Sequence, residues 1–340
     1  MKDLAKLPKA HLHLHFTGAM RPTTMVELAQ QQGVRLPAHL LENDPLTVPA
    51  NARGWFRFQR SYDAARALVR SEAVMRRLID EAIEDDVKEG SVRLEIQVDP
   101  TSYAPWVGGL TPALEIILDQ VRISARQHGL SVGVIVAASR IRHPLDARTL
   151  ARLAAKYAGS ANGEVVAFGL SNDEAAGVTS EFAHAFRLAR KAGLPGVPHG
   201  GELLGPEHVR QVVSHLQPRR LGHGVRAVED PRLLDELITA GIGFELCPAS
   251  NVSLGVFADL SQLPLRDLFA AGAFIALGAD DPLLFRSRLL AQYEYARAHG
   301  FSDAELATLA ASSIEISLAP QDLKTQWIKQ VQEWLTSSPA

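Results

Sequence analysis

Short apolar runs alternate with stretches of helical periodicity through most of the chain. Ala10–Phe16, Val92–Val98, Val132–Ala138, Val165–Leu170, Gly196–His199, Arg220–Gly224, Gly243–Cys247 and Phe274–Gly278 have the length and apolar content of strands. Helical patterning separates them over Ala73–Lys88, Pro112–His128, Asp146–Tyr157, Glu181–Ala192, Pro206–Leu216, Pro231–Ala240, Leu263–Ala271 and Leu284–Ala298. Strand then helix, repeated, predicts a parallel sheet. Eight such units predict a (β/α)8 TIM barrel, whose sites lie at the C-terminal ends of the strands. The alternative is an open doubly wound sheet, but no G-x-G-x-x-G phosphate turn follows the first strand.

Two stretches exceed the plain unit. Residues 21–70, between the first two strands, predict inserted helices, including Thr23–Gln32 and Gly54–Val69, as a lid near the barrel mouth. Residues 303–337 predict helices packed outside the barrel, one of them opened by Pro320. With no linker or low-complexity stretch, residues 1–340 read as one barrel domain.

Composition narrows the function classes. Apolar residues make up 46% of the 340 positions, too many for a disordered chain. Thirty-five basic against 38 acidic residues leave a net charge of -3, so the basic excess of a nucleic-acid binder is absent. No apolar stretch approaches the ~20 residues of a membrane span, and Met1–Lys9 lacks the apolar core of a targeting segment. The expectation is a cytoplasmic protein with neither nucleic-acid nor membrane partners. Cys247, the single cysteine, excludes an internal disulfide framework and any Cys-cluster metal site.

The candidate chemistry begins in the first strand, Ala10-His11-Leu12-His13-Leu14-His15-Phe16. Alternation in a strand puts His11, His13 and His15 on one face, pointing into a barrel. Each buried imidazole needs partners, and a metal near the strand's C-terminal end would account for His13 and His15, with His11 lying deeper. Other strand ends carry Pro198-His199-Gly200-Gly201-Glu202, Gly222-His223-Gly224 and Gly278-Ala279-Asp280-Asp281-Pro282. Four of eight strands therefore bring His or Asp to the same end. Histidines with a carboxylate and an open position form a catalytic metal set, and nitrogen and oxygen donors without thiolate suit Zn2+ first.

Together these motifs, with Pro8-Lys9-Ala10-His11-Leu12-His13-Leu14-His15 and Cys247-Pro248-Ala249-Ser250-Asn251, resemble the adenosine deaminase family nearly end to end and in the same order. The resemblance implies a metal-dependent amidohydrolase that replaces an exocyclic purine amine with oxygen. It implies His13, His15, His199 and Asp280 as Zn2+ ligands. Glu202 would be proton donor to the purine ring, His223 would orient the attacking water, and Asp281 would contact the five-membered ring. Asn172 stands where the family has a glycine whose backbone amide meets the purine.

The departures bear on the substrate. Thr17 occupies a position that is acidic in adenosine deaminases, where it meets the ribose 5′-hydroxyl. The inserted stretch Arg53-Gly54-Trp55-Phe56-Arg57-Phe58-Gln59-Arg60 combines aromatics with arginines suited to a carboxylate. These features, with Phe16-Thr17-Gly18, Glu95-Ile96-Gln97-Val98-Asp99-Pro100-Thr101-Ser102-Tyr103 and Leu277-Gly278-Ala279-Asp280-Asp281-Pro282-Leu283-Leu284-Phe285, resemble the actinobacterial aminodeoxyfutalosine deaminases of the futalosine route to menaquinone. Their small-molecule substrate is an adenine nucleoside with a carboxyphenyl ketone at its 5′ end. Thr17 and either Arg57 or Arg60 are then expected in its recognition. Competing expectations are a deaminase of adenosine or adenine and a non-catalytic metal-binding protein on the same scaffold. A cytidine-deaminase site would need a P-C-x-x-C pair that one cysteine cannot supply.

Overall fold

The computed structural model describes residues 1–337, so the last three residues of the expected 1–340 domain lie outside the described residues. Eight parallel strands run in chain order around one barrel. They are β1 Lys9–His15, β2 Ser91–Val98, β3 Ser131–Ser139, β4 Val165–Ser171, β5 Gly196–Gly200, β6 Arg220–His223, β7 Gly243–Leu246 and β8 Ile275–Leu277. The ring closes through a bridge between Leu14 and Asp280. There the His15 amide donates to the Asp280 carbonyl and the Asp280 amide to the His13 carbonyl, each at 3.0 Å. Closure thus sets two first-strand histidines beside an aspartate some 265 residues later in the chain. The expected (β/α)8 barrel is present.

The helices form for local reasons and bury one stripe each. In Glu72–Lys88, Ser71 caps the first turn by accepting from the Val74 amide. Met75, Leu78, Ile79, Ala82 and Ile83, at spacings of three and four, make its buried stripe. Each larger aliphatic among them contributes about 1.5–3 kcal/mol by leaving water. The insertion holds helices Pro22–Gln32 and Ala52–Arg66, and the tail holds Asp303–Ile316 and Gln321–Thr336, the last beginning directly after Pro320. Ser302 and Glu305 close a capping box on the first tail helix.

Two local differences from the sequence pattern touch the site. The helix expected over Leu284–Ala298 is broken into Pro282–Phe285 and Leu289–Ala298, with Arg286 at φ 50° between them. In β1 the pairing to β2 shifts register between His11 and Leu14, so the simple alternation expected of its three histidines does not hold. No helix among the described residues is long and apolar enough to cross a membrane.

Candidate active site

Four donor side chains meet where β1 and β8 close. The Nδ1 of His13 lies 2.8 Å from Glu245 Oε2, which assigns its proton there and turns a free Nε2, without a hydrogen-bond partner, to the centre. His15 Nε2 is 3.2 Å from His199 Nε2 and 3.2 Å from Asp280 Oδ1, and His13 Nε2 is 3.5 Å from that oxygen. Donors about 2.0–2.1 Å from a tetrahedral cation stand roughly 3.3 Å apart. The converging lone pairs of His13, His15, His199 and Asp280 therefore fit one small divalent cation. Cys247 Sγ is also within ligand reach of part of this cluster. Burial pushes its thiol pKa up, and it donates to the Glu245 carbonyl, so it is no thiolate.

Around this centre lie Glu202, His223 and Asp281, all buried. Glu202 Oε1 is 3.6 Å from His223 Nε2, which is 3.8 Å from Asp280 Oδ2. Burial, reinforced by the charges of Asp280 and Glu174, holds the Glu202 carboxyl well above the usual carboxylate range. Burial and Asp280 do the same to Asp281. Burial and His13 lower His223 to about 3, leaving a neutral imidazole with both ring nitrogens unpartnered. Among the described residues five non-glycines have positive φ, and three of them, Asn172, His223 and Asp280, belong to this site. Close approach also explains a glycine: a Cβ on Gly18 would lie 1.8 Å from Asp281 Oδ1.

The cavity over the cluster is lined by Phe16, Trp55, Phe58, Gln59, Tyr62 and Arg66, together with Gln97, Asp99, Tyr103 and Asn172. Asn172, with φ 78°, takes the backbone conformation a glycine would supply. Arg57 and Arg60 are not in this wall, contrary to expectation. Both are exposed and line an outer groove with Arg35 and His39. Helical geometry is the reason. At about 100° per residue, positions 55, 59, 62 and 66 share one face of Ala52–Arg66, while 57 and 60 fall on another. Thr17 is corrected likewise. It is fully buried beneath the wall, its hydroxyl 2.6 Å from that of Tyr103, and does not line the cavity.

Sequence reading missed Arg66, the arginine that does face the cavity. It pairs with Asp63 and lies 5.7 Å from the centroid of the Tyr62 ring. The signal was present as the helical spacing Trp55, Gln59, Tyr62, Arg66.

A buried ionic chain behind the site was missed as well. Arg93 Nε donates to Glu95 Oε1 at 3.1 Å, Arg220 Nη2 to Glu95 Oε2 at 2.6 Å, and Arg220 Nε to Glu245 Oε1 at 2.6 Å. Glu245 Oε2 then holds His13. His11 is a brace: its Nε2 accepts from the Ala279 amide at 3.1 Å, so its Nδ1 donates to Asp86 at 2.8 Å.

Comparison with known proteins agrees with this architecture. The adenosine deaminase family model matches residues 8–334. A Streptomyces coelicolor protein provisionally named adenosine/adenine deaminase is 56% identical, the match covering 99% of each chain. The adenine deaminase of Rhizobium meliloti is 33% identical over 93% of this chain and 96% of its own. The crystal structure of an adenine deaminase from Arthrobacter aurescens superposes with a TM-score of 0.88 at 27% identity, covering 97% of this chain and 100% of that one.

Proposed function

The chain belongs to the adenosine deaminase family, and we propose that it hydrolyses the 6-amino group of a 5′-modified adenine nucleoside, 6-amino-6-deoxyfutalosine, to futalosine and ammonia in menaquinone synthesis. One observation carries the substrate choice: a single lid arginine, Arg66, lines the cavity among Trp55, Phe58 and Tyr62. Aromatic faces suit an aryl group, and a guanidinium suits its carboxylate. Thr17, buried against the Tyr103 hydroxyl, adds no negative charge near the cavity that would repel an anionic group.

The ligand set proposed is His13, His15, His199 and Asp280, holding Zn2+, whose contribution when bound is to acidify and so activate water. The remaining chemistry belongs to side chains. Glu202, kept neutral by burial, donates a proton to the ring nitrogen beside the amine-bearing carbon and makes that carbon electrophilic. Neutral His223 orients the attacking water and hydrogen-bonds the oxygen as charge develops. Asp281, its proton retained, donates to the five-membered ring. The Asn172 backbone meets the purine edge. Water adds at the carbon; one of its protons replaces the one Glu202 gave to the ring, the other passes to the amine, the C–N bond breaks and ammonia leaves.

A second reading is adenine deamination, favoured by the names of the Rhizobium and Arthrobacter relatives. Ammonia release from aminodeoxyfutalosine, adenosine and adenine, compared as kcat/KM for the Zn-loaded protein, separates the two. Preference for aminodeoxyfutalosine supports the proposal, and preference for adenine or adenosine overturns it in favour of purine salvage.

A further inference from the structure

The loop that carries Glu202 has its own clamp. Directly after β5, residues 201–204 form no regular element, yet they are buried or half-buried. The amides of Glu202, Leu203 and Leu204 are taken by one side chain. Glu174, 2% exposed, accepts from the Glu202 amide at 3.1 Å through Oε1 and from the Leu203 and Leu204 amides, each at 2.8 Å, through Oε2. Three successive amides aimed at one carboxylate form an anion nest closed from within the protein. Arg140, equally buried, holds the strand side of the same turn by donating to the His199 carbonyl at 2.8 Å, and it donates to Thr179 Oγ1 at 3.1 Å. Arg140 meets the donor cluster only at the His199 backbone carbonyl, Glu174 does not touch it, and beyond the charge that Glu174 places near Glu202 neither has a role in the chemistry set out above.

We infer that Glu174 is a positioning residue, which with Arg140 fixes the turn between His199 and Leu204 so that Glu202 points at the substrate ring. The inference rests on the reading of Glu202 as proton donor. Its physical basis is that a carboxyl displaced by about 1 Å loses roughly 100-fold in rate while binding is little changed. Without the clamp the three amides must find water, and the turn gains freedom at the one residue whose direction matters. The same negative charge lies near Glu202 and adds to the burial that keeps it protonated.

Glu174→Gln tests this, because it keeps the shape while replacing one acceptor oxygen by an amino group that faces amide donors. The expected result is a fall in kcat of roughly 100-fold, with KM and bound metal within about two-fold of wild type. In a Glu202→Gln background the same change has no further effect. Hydrogen exchange gives a substrate-free readout: amides 202–204 are protected in wild type and exchange faster in Glu174→Gln, with the barrel strands unaltered. Glu174→Ala serves as a second variant should the first fail to fold. An unchanged kcat, an equal loss in the Glu202→Gln background, or unchanged exchange at 202–204 overturns the inference. If Glu202→Gln alone turns over at the wild-type rate, the proton-donor reading fails, whatever Glu174 does.

Discussion

The barrel interior holds two polar regions that behave oppositely. In the ionic chain of Arg93, Glu95, Arg220 and Glu245, charges cancel in pairs and all four carboxylate oxygens have donors. At the strand ends above it, His13 Nε2, His199 Nδ1, Asp281 Oδ1 and both nitrogens of His223 have none. Both regions are equally buried, so burial does not distinguish them. A buried network whose charges are paired, with only Arg93 Nη2 left open, specifies structure, whereas a cluster of converging buried polar atoms left open is a place where a ligand completes the valence. The two regions touch at one residue, His13, whose Nδ1 belongs to the chain and whose Nε2 belongs to the site.

The sharpest break in this comparison is Glu202→Gln. It is expected to lower kcat by about 10²–10⁴-fold with metal content unchanged, measured by ammonia release and elemental analysis. Glu245→Ala attacks the contact between the regions. Removing one partner of a buried pair costs about 3–5 kcal/mol, and loss of the outer hydrogen bond to His13, a proposed ligand, is expected to weaken metal binding roughly 10–100-fold. Chelator competition and calorimetry read the two effects, and retained affinity would separate the regions after all. Arg66→Ala should lower kcat/KM for the carboxylated nucleoside about 10–100-fold, the range of a charged hydrogen bond, and leave adenosine turnover little altered. Arg57→Ala and Arg60→Ala, on the outer face of the same helix, should stay within about two-fold.

A pH series sharpens the same contrast with a smaller effect. Burial, and then Asp280 and Glu174, raise the folded-state pKa of Glu202 above its ordinary value of 4.5. The folded protein therefore holds a proton that the unfolded chain has released. The contribution to stability is complete below the unfolded value and is lost as pH rises through the folded one. Between about pH 5 and 9, Tm of the wild type should fall relative to Glu202→Gln, which carries no such proton. Parallel Tm curves for the two proteins would show that Glu202 is ionised throughout.

The eight strands, the inserted and tail helices and the His and Asp positions at the strand ends were legible in the chain because each rests on local patterning: alternation, helical stripes, and residue type at the strand ends. Glu245 and Arg220 were not, although they stand on strands that were located correctly, because an ion pair across a barrel leaves no spacing in sequence. Arg66 falls between these cases. Its helical register was readable, but which face of the helix covers the cavity depends on how the lid packs, and Arg57 and Arg60 were chosen on the wrong face. His11 shows the same limit, since a register shift in β1 broke the alternation that grouped it with His13 and His15. Sequence by itself determined the order of elements and the residue types at the strand ends, because backbone and solvent act on neighbours along the chain. Tertiary structure alone decided which of those residues share a partner, because closure of the barrel sets Asp280 against His13 and His15 and leaves their lone pairs facing one point.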